Sequence, residues 1–116
     1  MTIEYLRGRI DAIDDQLVAL LNARAACAIE IGRLKRTQGL PVFQREREKA
    51  VLLHTKAVTA RLGGPLAEEA VGRLFERIID EARRLEAAFD EVDAGVSSPD
   101  DRMQDGAISS KGGGSW

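Results

Sequence analysis

The sequence predicts an all-α chain of three helices, one long and two shorter. Three observations predict it. Apolar residues recur three and four positions apart, as on one face of an α-helix. The composition is 44% hydrophobic but only 4% aromatic and is rich in Ala, Leu, Ile, Glu and Arg, which is a helical usage. The breakers Gly39, Pro41, Gly63, Gly64 and Pro65 fall between segments of helical length and not inside them. At 116 residues the chain is one domain at most.

The first helix is expected to start after Thr2, a residue that can cap it, and to run to about Gln38, with Gly39 as its stop. Its stripe is Leu6, Ile10, Ile13, Leu17 and Leu20, then Cys27, Ile31 and Leu34. Gly39-Leu40-Pro41-Val42-Phe43 is a short connection, because Pro41 disfavours helix at the residue before it. A second helix is expected from about Gln44 to Leu62, with Ala50, Val51, Leu52, Ala57 and Val58 as its less polar side. Pro65 suits the first turn of a third helix, and Glu68 and Glu69 complement its positive end. That helix carries Val71, Leu74, Phe75, Ile78, Ile79, Ala82 and Leu85 as a core stripe and fades near Phe89 to Val92. Residues 1–92 form the helical domain in this reading. Residues 93–116 form a flexible tail, since from Ala94 onward Ser, Gly, Asp and Pro dominate and the periodicity is lost. Trp116 has no evident docking place.

Length alone then argues for a partner. A helix of about 36 residues spans roughly 54 Å. A compact domain of about 90 residues is only about 30 Å across. The first helix must overhang its own chain, and its apolar stripe continues along the overhang. An intertwined homodimer covers both overhangs, whereas a monomer needs a kinked first helix.

Charge appears where packing would prefer carbon. Arg24 interrupts the first stripe between Leu20, Leu21, Cys27 and Ala28. A guanidinium in that position calls for an anion. Lys35 lies eleven residues on, within about 20° of the same face and about 16 Å away along the axis. The two cations can grip a small dianion from both ends. Gln44, Arg47 and Glu48 share a face at the start of the second helix. Glu86 continues the core side of the third helix from Ile78 and Ala82. Arg7 lies about 25 Å along the helix from Arg24 and reaches the same ligand only from a partner chain across an antiparallel dimer. Each feature also has a plainer explanation. Arg7 can pair with Glu4 or Asp11, and Arg24 with a carboxylate such as Asp14. Arg45 to Lys49 can be a solvated helix start, and Glu86 can extend outward beside Arg83. The anomaly recurs on all three helices, which favours a shared site.

The bulk numbers exclude several classes. A net charge of −2 does not suit a nucleic-acid binder. A single cysteine, Cys27, excludes an internal disulfide and is read as a packing residue. No signal pattern or membrane-length apolar run is present, so a cytoplasmic protein with no membrane partner is expected. His54 sits in a polar stretch and is not expected to be catalytic.

The series Leu6-Arg7-x-x-Ile10-Asp11-x-x-Asp14, Leu20-Leu21-x-x-Arg24, Ile31-Gly32-x-x-Lys35, Pro41-Val42, Arg47-Glu48 and Leu74-Phe75-x-x-Ile78-Ile79 strongly resembles the all-helical (AroQ) class of chorismate mutases. The likeness covers roughly residues 5 to 88. It implies an intertwined homodimer of three-helix chains with two equivalent sites. It implies the pericyclic rearrangement of chorismate to prephenate, a step in phenylalanine and tyrosine biosynthesis. By matching position, Arg24 would bind one substrate carboxylate and Arg7 of the partner chain the other. Lys35 would hydrogen-bond the ether oxygen and a carboxylate. Glu48 would accept from the ring hydroxyl, Arg47 would support charge in the same wall, and the backbone at Gln44 would contact substrate.

Such a reaction needs no nucleophile, proton transfer, redox change, metal or cofactor. It needs fixed cations around a dianion held in a chair-like conformer, and stabilisation of charge growing on the ether oxygen as the C–O bond breaks.

Three departures from the family pattern stand out. Gln44 replaces a frequent Asp and is a poorer N-cap. Ala82 replaces a frequent Ser that helps seat a carboxylate. Glu86 stands where several members have Gln and others Glu. An amide donates to the ether oxygen at any pH, but a carboxyl group donates only while protonated. Burial raises a carboxyl pKa and nearby cations lower it. The departures leave open an isochorismate-pyruvate lyase or a 4-amino-4-deoxychorismate mutase of the same fold. A non-catalytic helical dimerisation module is the alternative of another class, but it has no use for this cation set. No regulatory, dehydratase, dehydrogenase or synthase domain is expected within the chain. The tail from about Ala94 is a candidate docking segment for an activating partner enzyme, but its composition favours disorder over docking.

Overall fold

The computed structural model describes residues 1–41 and 43–95, with side chains to Phe89. The tail from 96 on, Trp116 included, lies outside the described residues. Three helices follow in order: α1 (Ile3–Thr37), α2 (Arg45–Leu62) and α3 (Glu68–Gly95). No strand occurs among the described residues.

Local chemistry sets the ends. The Thr2 hydroxyl accepts from the Tyr5 backbone N–H at 3.0 Å and starts α1. At the other end Gly39 takes φ +72°. The Gly39 N–H then reaches the Arg36 carbonyl at 3.1 Å, and the Leu40 N–H reaches the Lys35 carbonyl at 2.8 Å. This is a Schellman ending, and it turns the chain immediately past Lys35. Gln44 stands at the N-cap of α2 in extended backbone, and its side chain makes no capping bond. Its carbonyl accepts from the Glu48 N–H at 3.3 Å.

The turn after α2 uses two glycines with positive φ, Gly63 at 71° and Gly64 at 106°. Pro65 does not enter the first turn of α3, as the sequence suggested. That helix begins at Glu68, and the Val71 N–H bonds the Ala67 carbonyl at 3.1 Å. At the far end α3 continues to Gly95, past the fading stretch and across the domain boundary expected at residue 92. Ala and Glu are strong helix formers, and no proline or glycine occurs between Gly72 and Gly95.

The packing departs from the expected stripes in an informative way. α3 lies between α2 and the C-terminal half of α1 and touches both. The described molecule is 58 × 35 × 16 Å. A helix with its side chains is about 10–12 Å thick, so this is a single layer of helices. In α1 only Ile29 and Gly32 are buried.

The apolar stripe of α1 is open in the single chain. Leu6, Ile10, Ile13, Leu17 and Leu20 are between 40% and 67% exposed, and Ile31, Leu34 and Cys27 are exposed as well. The face of α1 that meets α3 runs through Ala26, Ile29, Gly32 and Arg33. In α2 the half-buried face is Glu48, Val51, Leu52, Thr55, Val58 and Thr59, whereas Ala50 and Ala57 are exposed. The Thr55 and Thr59 hydroxyls bond the carbonyls of Leu52 at 3.0 Å and Thr55 at 2.7 Å, which satisfies them on a packed face. The α3 stripe behaves as expected except for Leu74, which is 55% exposed.

Candidate active site

The C-terminal half of α1, the start of α2 and the second half of α3 line an open cavity of about 350 Å³. Seven of the residues singled out in the sequence line it: Arg24, Lys35, Gln44, Arg47, Glu48, Ala82 and Glu86. Arg7 does not line it. It lies on the exposed N-terminal part of α1, on the overhang, as the helix length requires. His54 is exposed and lies outside the cavity.

Each wall follows from local periodicity. Arg24, Cys27, Ala28, Ile31 and Lys35 recur at helical spacing on α1, so one face presents both cations with apolar surface between them. Arg24 and Lys35 are half-buried. Arg24 forms no ion pair with a described side chain of its own chain. Arg47 likewise lines the cavity with no carboxylate partner among the described side chains. Its neighbours Glu46 and Lys49 pair with each other at 3.7 Å, away from the cavity. Cys27 proves to be an exposed lining residue and not a packed one.

Glu86 turns inward. A β-carbon placed on Gly32 would lie 3.8 and 3.9 Å from its Cγ and Cδ, and 3.6 Å from the Arg36 guanidinium. The carboxyl group of Glu86 therefore lies against the backbone of α1 and is half-buried. It does not extend outward beside Arg83.

Two lining residues, Arg83 and Phe43, escaped the sequence reading. Arg83 Nη2 donates to both carboxylate oxygens of Glu48 at 2.8 Å, joining α3 to α2. Its guanidinium also lies 4.5 Å from the centroid of the Phe43 ring, in the connection before α2. The spacing held the signal. Arg83 stands four residues after Ile79 and three before Glu86, both of which face the cavity. The pair Arg83-Arg84 reads as solvent-facing, but Arg83 also reaches the cavity, whereas Arg84 pairs with Asp80 at 3.2 Å.

Four cationic side chains, two carboxyl groups and an apolar floor of Ile31, Val51 and Ile79 thus meet at one cavity. Such a site can hold a compact, partly apolar anion with more than one negative group. Among the described residues no cluster of His, Cys, Asp or Glu could hold a metal ion, and no helix is long and apolar enough to cross a membrane.

Residues 6–87 match the family described as chorismate mutase type II. The chain belongs to that family. A bifunctional chorismate mutase/prephenate dehydratase of Pseudomonas aeruginosa is 42% identical over 90 residues, which cover 72% of this chain and 24% of the relative. The corresponding protein of Neisseria gonorrhoeae is 41% identical over 80 residues, covering 69% of this chain and 21% of that protein. This chain thus spans under a quarter of the length of these curated relatives. A solved chorismate mutase from Thermus thermophilus matches the fold with TM-score 0.69 and 32% identity, covering 73% of this chain and 93% of that one. The three-helix architecture is therefore that of a chorismate mutase fold.

Proposed function

We propose that this chain catalyses the rearrangement of chorismate to prephenate, a step toward phenylalanine and tyrosine, and that it does so as an intertwined homodimer. One observation carries the reading: Arg24, Lys35 and Arg47 converge with Glu48 and Glu86 on one cavity drawn from three helices. In this reading Arg24 clamps one carboxylate of the substrate, and Arg7 of the second copy clamps the other. Lys35 and Glu86 hydrogen-bond the ether oxygen, where negative charge grows as the C–O bond breaks. Glu48 accepts from the ring hydroxyl, Arg47 supports the wall, and the Gln44 backbone contacts the substrate. Catalysis is by conformational selection and electrostatic stabilisation, with no covalent step on the protein. Ala82 offers no hydroxyl to the second carboxylate, so the cations carry that contact.

The dimer is supported by the single-layer thickness of 16 Å and by the open apolar stripe of α1. Stable domains bury such faces between two layers, and a second copy supplies the missing layer.

The deciding experiment presents chorismate, isochorismate and 4-amino-4-deoxychorismate side by side to the purified protein. We expect prephenate from chorismate, with no pyruvate released. Pyruvate from isochorismate without prephenate from chorismate overturns the reading in favour of a lyase. Inactivity on all three leaves a dimerisation module as the function.

A further inference from the structure

Arg83 uses two parts of its guanidinium at once. Its edge donates from Nη2 to Oε1 and Oε2 of Glu48, both at 2.8 Å. Its face covers the Phe43 ring at 4.5 Å. All three residues line the cavity. A planar, permanently charged group does both jobs, and a lysine ammonium does not. The fixed stack and the fork hold three separate segments in register: α3, the start of α2 and the connection that leads into it.

Glu48 poses a problem for a site that takes a dianion, because its carboxylate repels the ligand. Arg83 offsets that charge from within the same wall. Each carboxylate oxygen has two acceptor positions, and Nη2 occupies one on each. The others remain for a donor on the ligand. Resting on the reading that Glu48 accepts from the substrate's ring hydroxyl, we propose that Arg83 is a positioning residue that acts through Glu48. It fixes the rotamer of the Glu48 carboxylate and offsets its charge. It thereby tunes the site to a neutral hydroxyl at that ring position over a protonated amine. A carboxylate without a paired guanidinium would attract the amine more strongly. The choice between hydroxyl and amine is then set partly by a residue that need not touch the substrate.

The test is a double-mutant cycle between Arg83 and Glu48, read as kcat and KM on chorismate and on 4-amino-4-deoxychorismate. Arg83→Met keeps the stem and removes the fork. It should lower kcat/KM for chorismate at least about tenfold, as expected for loss of a charged hydrogen-bonding partner. The ratio of amine to hydroxyl substrate efficiency should rise several-fold. In a Glu48→Gln background the same substitution should change kcat/KM less than about twofold. Arg83→Lys restores charge without the fork and should recover only part of the loss. The side chain is 47% exposed, so the unfolding midpoint should move little. If it falls markedly, the Arg83→Lys arm decides, and no recovery there overturns the proposal. Equal losses in the two backgrounds, or an unchanged substrate ratio, also overturn it. Wild-type inactivity on chorismate overturns both this and the proposed function, whereas an active wild type with additive losses overturns this alone.

Discussion

The two halves of α1 carry the same kind of apolar stripe and meet different surroundings. From Ile3 to Leu21 every residue is exposed and no other helix covers it. From Asn22 to Arg36 the helix packs against α3, buries Ile29 and Gly32 and supplies Arg24 and Lys35 to the cavity. The C-terminal half thus has a place in its own chain. The N-terminal half is about 30 Å of amphipathic helix with nothing on its apolar side. The half without packing also bears Arg7, the one site candidate that the cavity lacks. In the proposed dimer this helix end lies on the second copy and can deliver a side chain there, so that the two halves together make one site shared by two chains.

The sharpest way to break that comparison is to damage the halves separately and mix them. Arg24→Ala should lower chorismate turnover about a thousandfold, the scale of losing a charge that stabilises the transition state, and leave the dimer intact by light scattering. Arg7→Ala should impair turnover in the same direction. The two inactive proteins, unfolded together and refolded as a mixture, should regain activity. Half of the dimers are then mixed, and each mixed dimer holds one undamaged site, so about a quarter of the wild-type rate returns. No recovery would mean that Arg7 serves its own chain or no site at all.

Much of this arrangement is legible in the amino-acid sequence, and the misses have physical causes. Helix ends follow from Thr2, Gly39 and the Gly63-Gly64 pair, because capping and positive φ are local chemistry. Pro65 misleads, since a residue suited to a first turn can equally precede it by a few positions. The α1 stripe is visible in the sequence, and in the single chain no other helix covers it. Periodicity reports that a face is apolar and is silent on whose surface covers it. The face that meets α3 contains Gly32 and Arg33 and looks less apolar than the open one. Thr55 and Thr59 escape notice in α2 because their hydroxyls look polar until they are seen bonded to their own helix. At the site, Arg24, Lys35 and Glu86 are legible as charges in apolar stripes. The role of Arg83 is not, because its partner Glu48 lies 35 residues away and no local spacing reports that pairing.

A smaller effect separates the two ends of the C-terminal half. Glu86 is held against Gly32, and as a donor to the ether oxygen it works only while protonated. In the proposed role kcat therefore depends on the protonation of this carboxyl group. Glu86→Gln donates at every pH and should flatten the alkaline side of the kcat profile. Arg7 and Arg24 variants should retain that slope in whatever rate survives, because guanidinium groups do not titrate in the range. An alkaline decline that persists unchanged in Glu86→Gln would assign the titration to another group and remove the ether-oxygen role from Glu86.

The smallest expected effect tests how closely α1 and α3 must approach. Gly32 is one of the two buried positions of α1, and glycine in a helix interior costs up to about 1 kcal/mol relative to alanine. A β-carbon there would meet Arg36 at 3.6 Å and Glu86 at 3.8 Å, both ordinary van der Waals distances to side chains and not to backbone. Packing therefore does not demand glycine, and Gly32→Ala should stabilise the protein by a few tenths to about 1 kcal/mol in chemical denaturation. The added methyl group lies against the Glu86 carboxyl, so any change in turnover should appear in kcat near the alkaline limb and leave KM unaltered. A destabilised Gly32→Ala protein would mean that α1 and α3 come closer in solution than these distances allow. The well-packed half of α1 would then owe its order to that tight approach, and the contrast with the open half would rest on backbone fit as well as on side-chain burial.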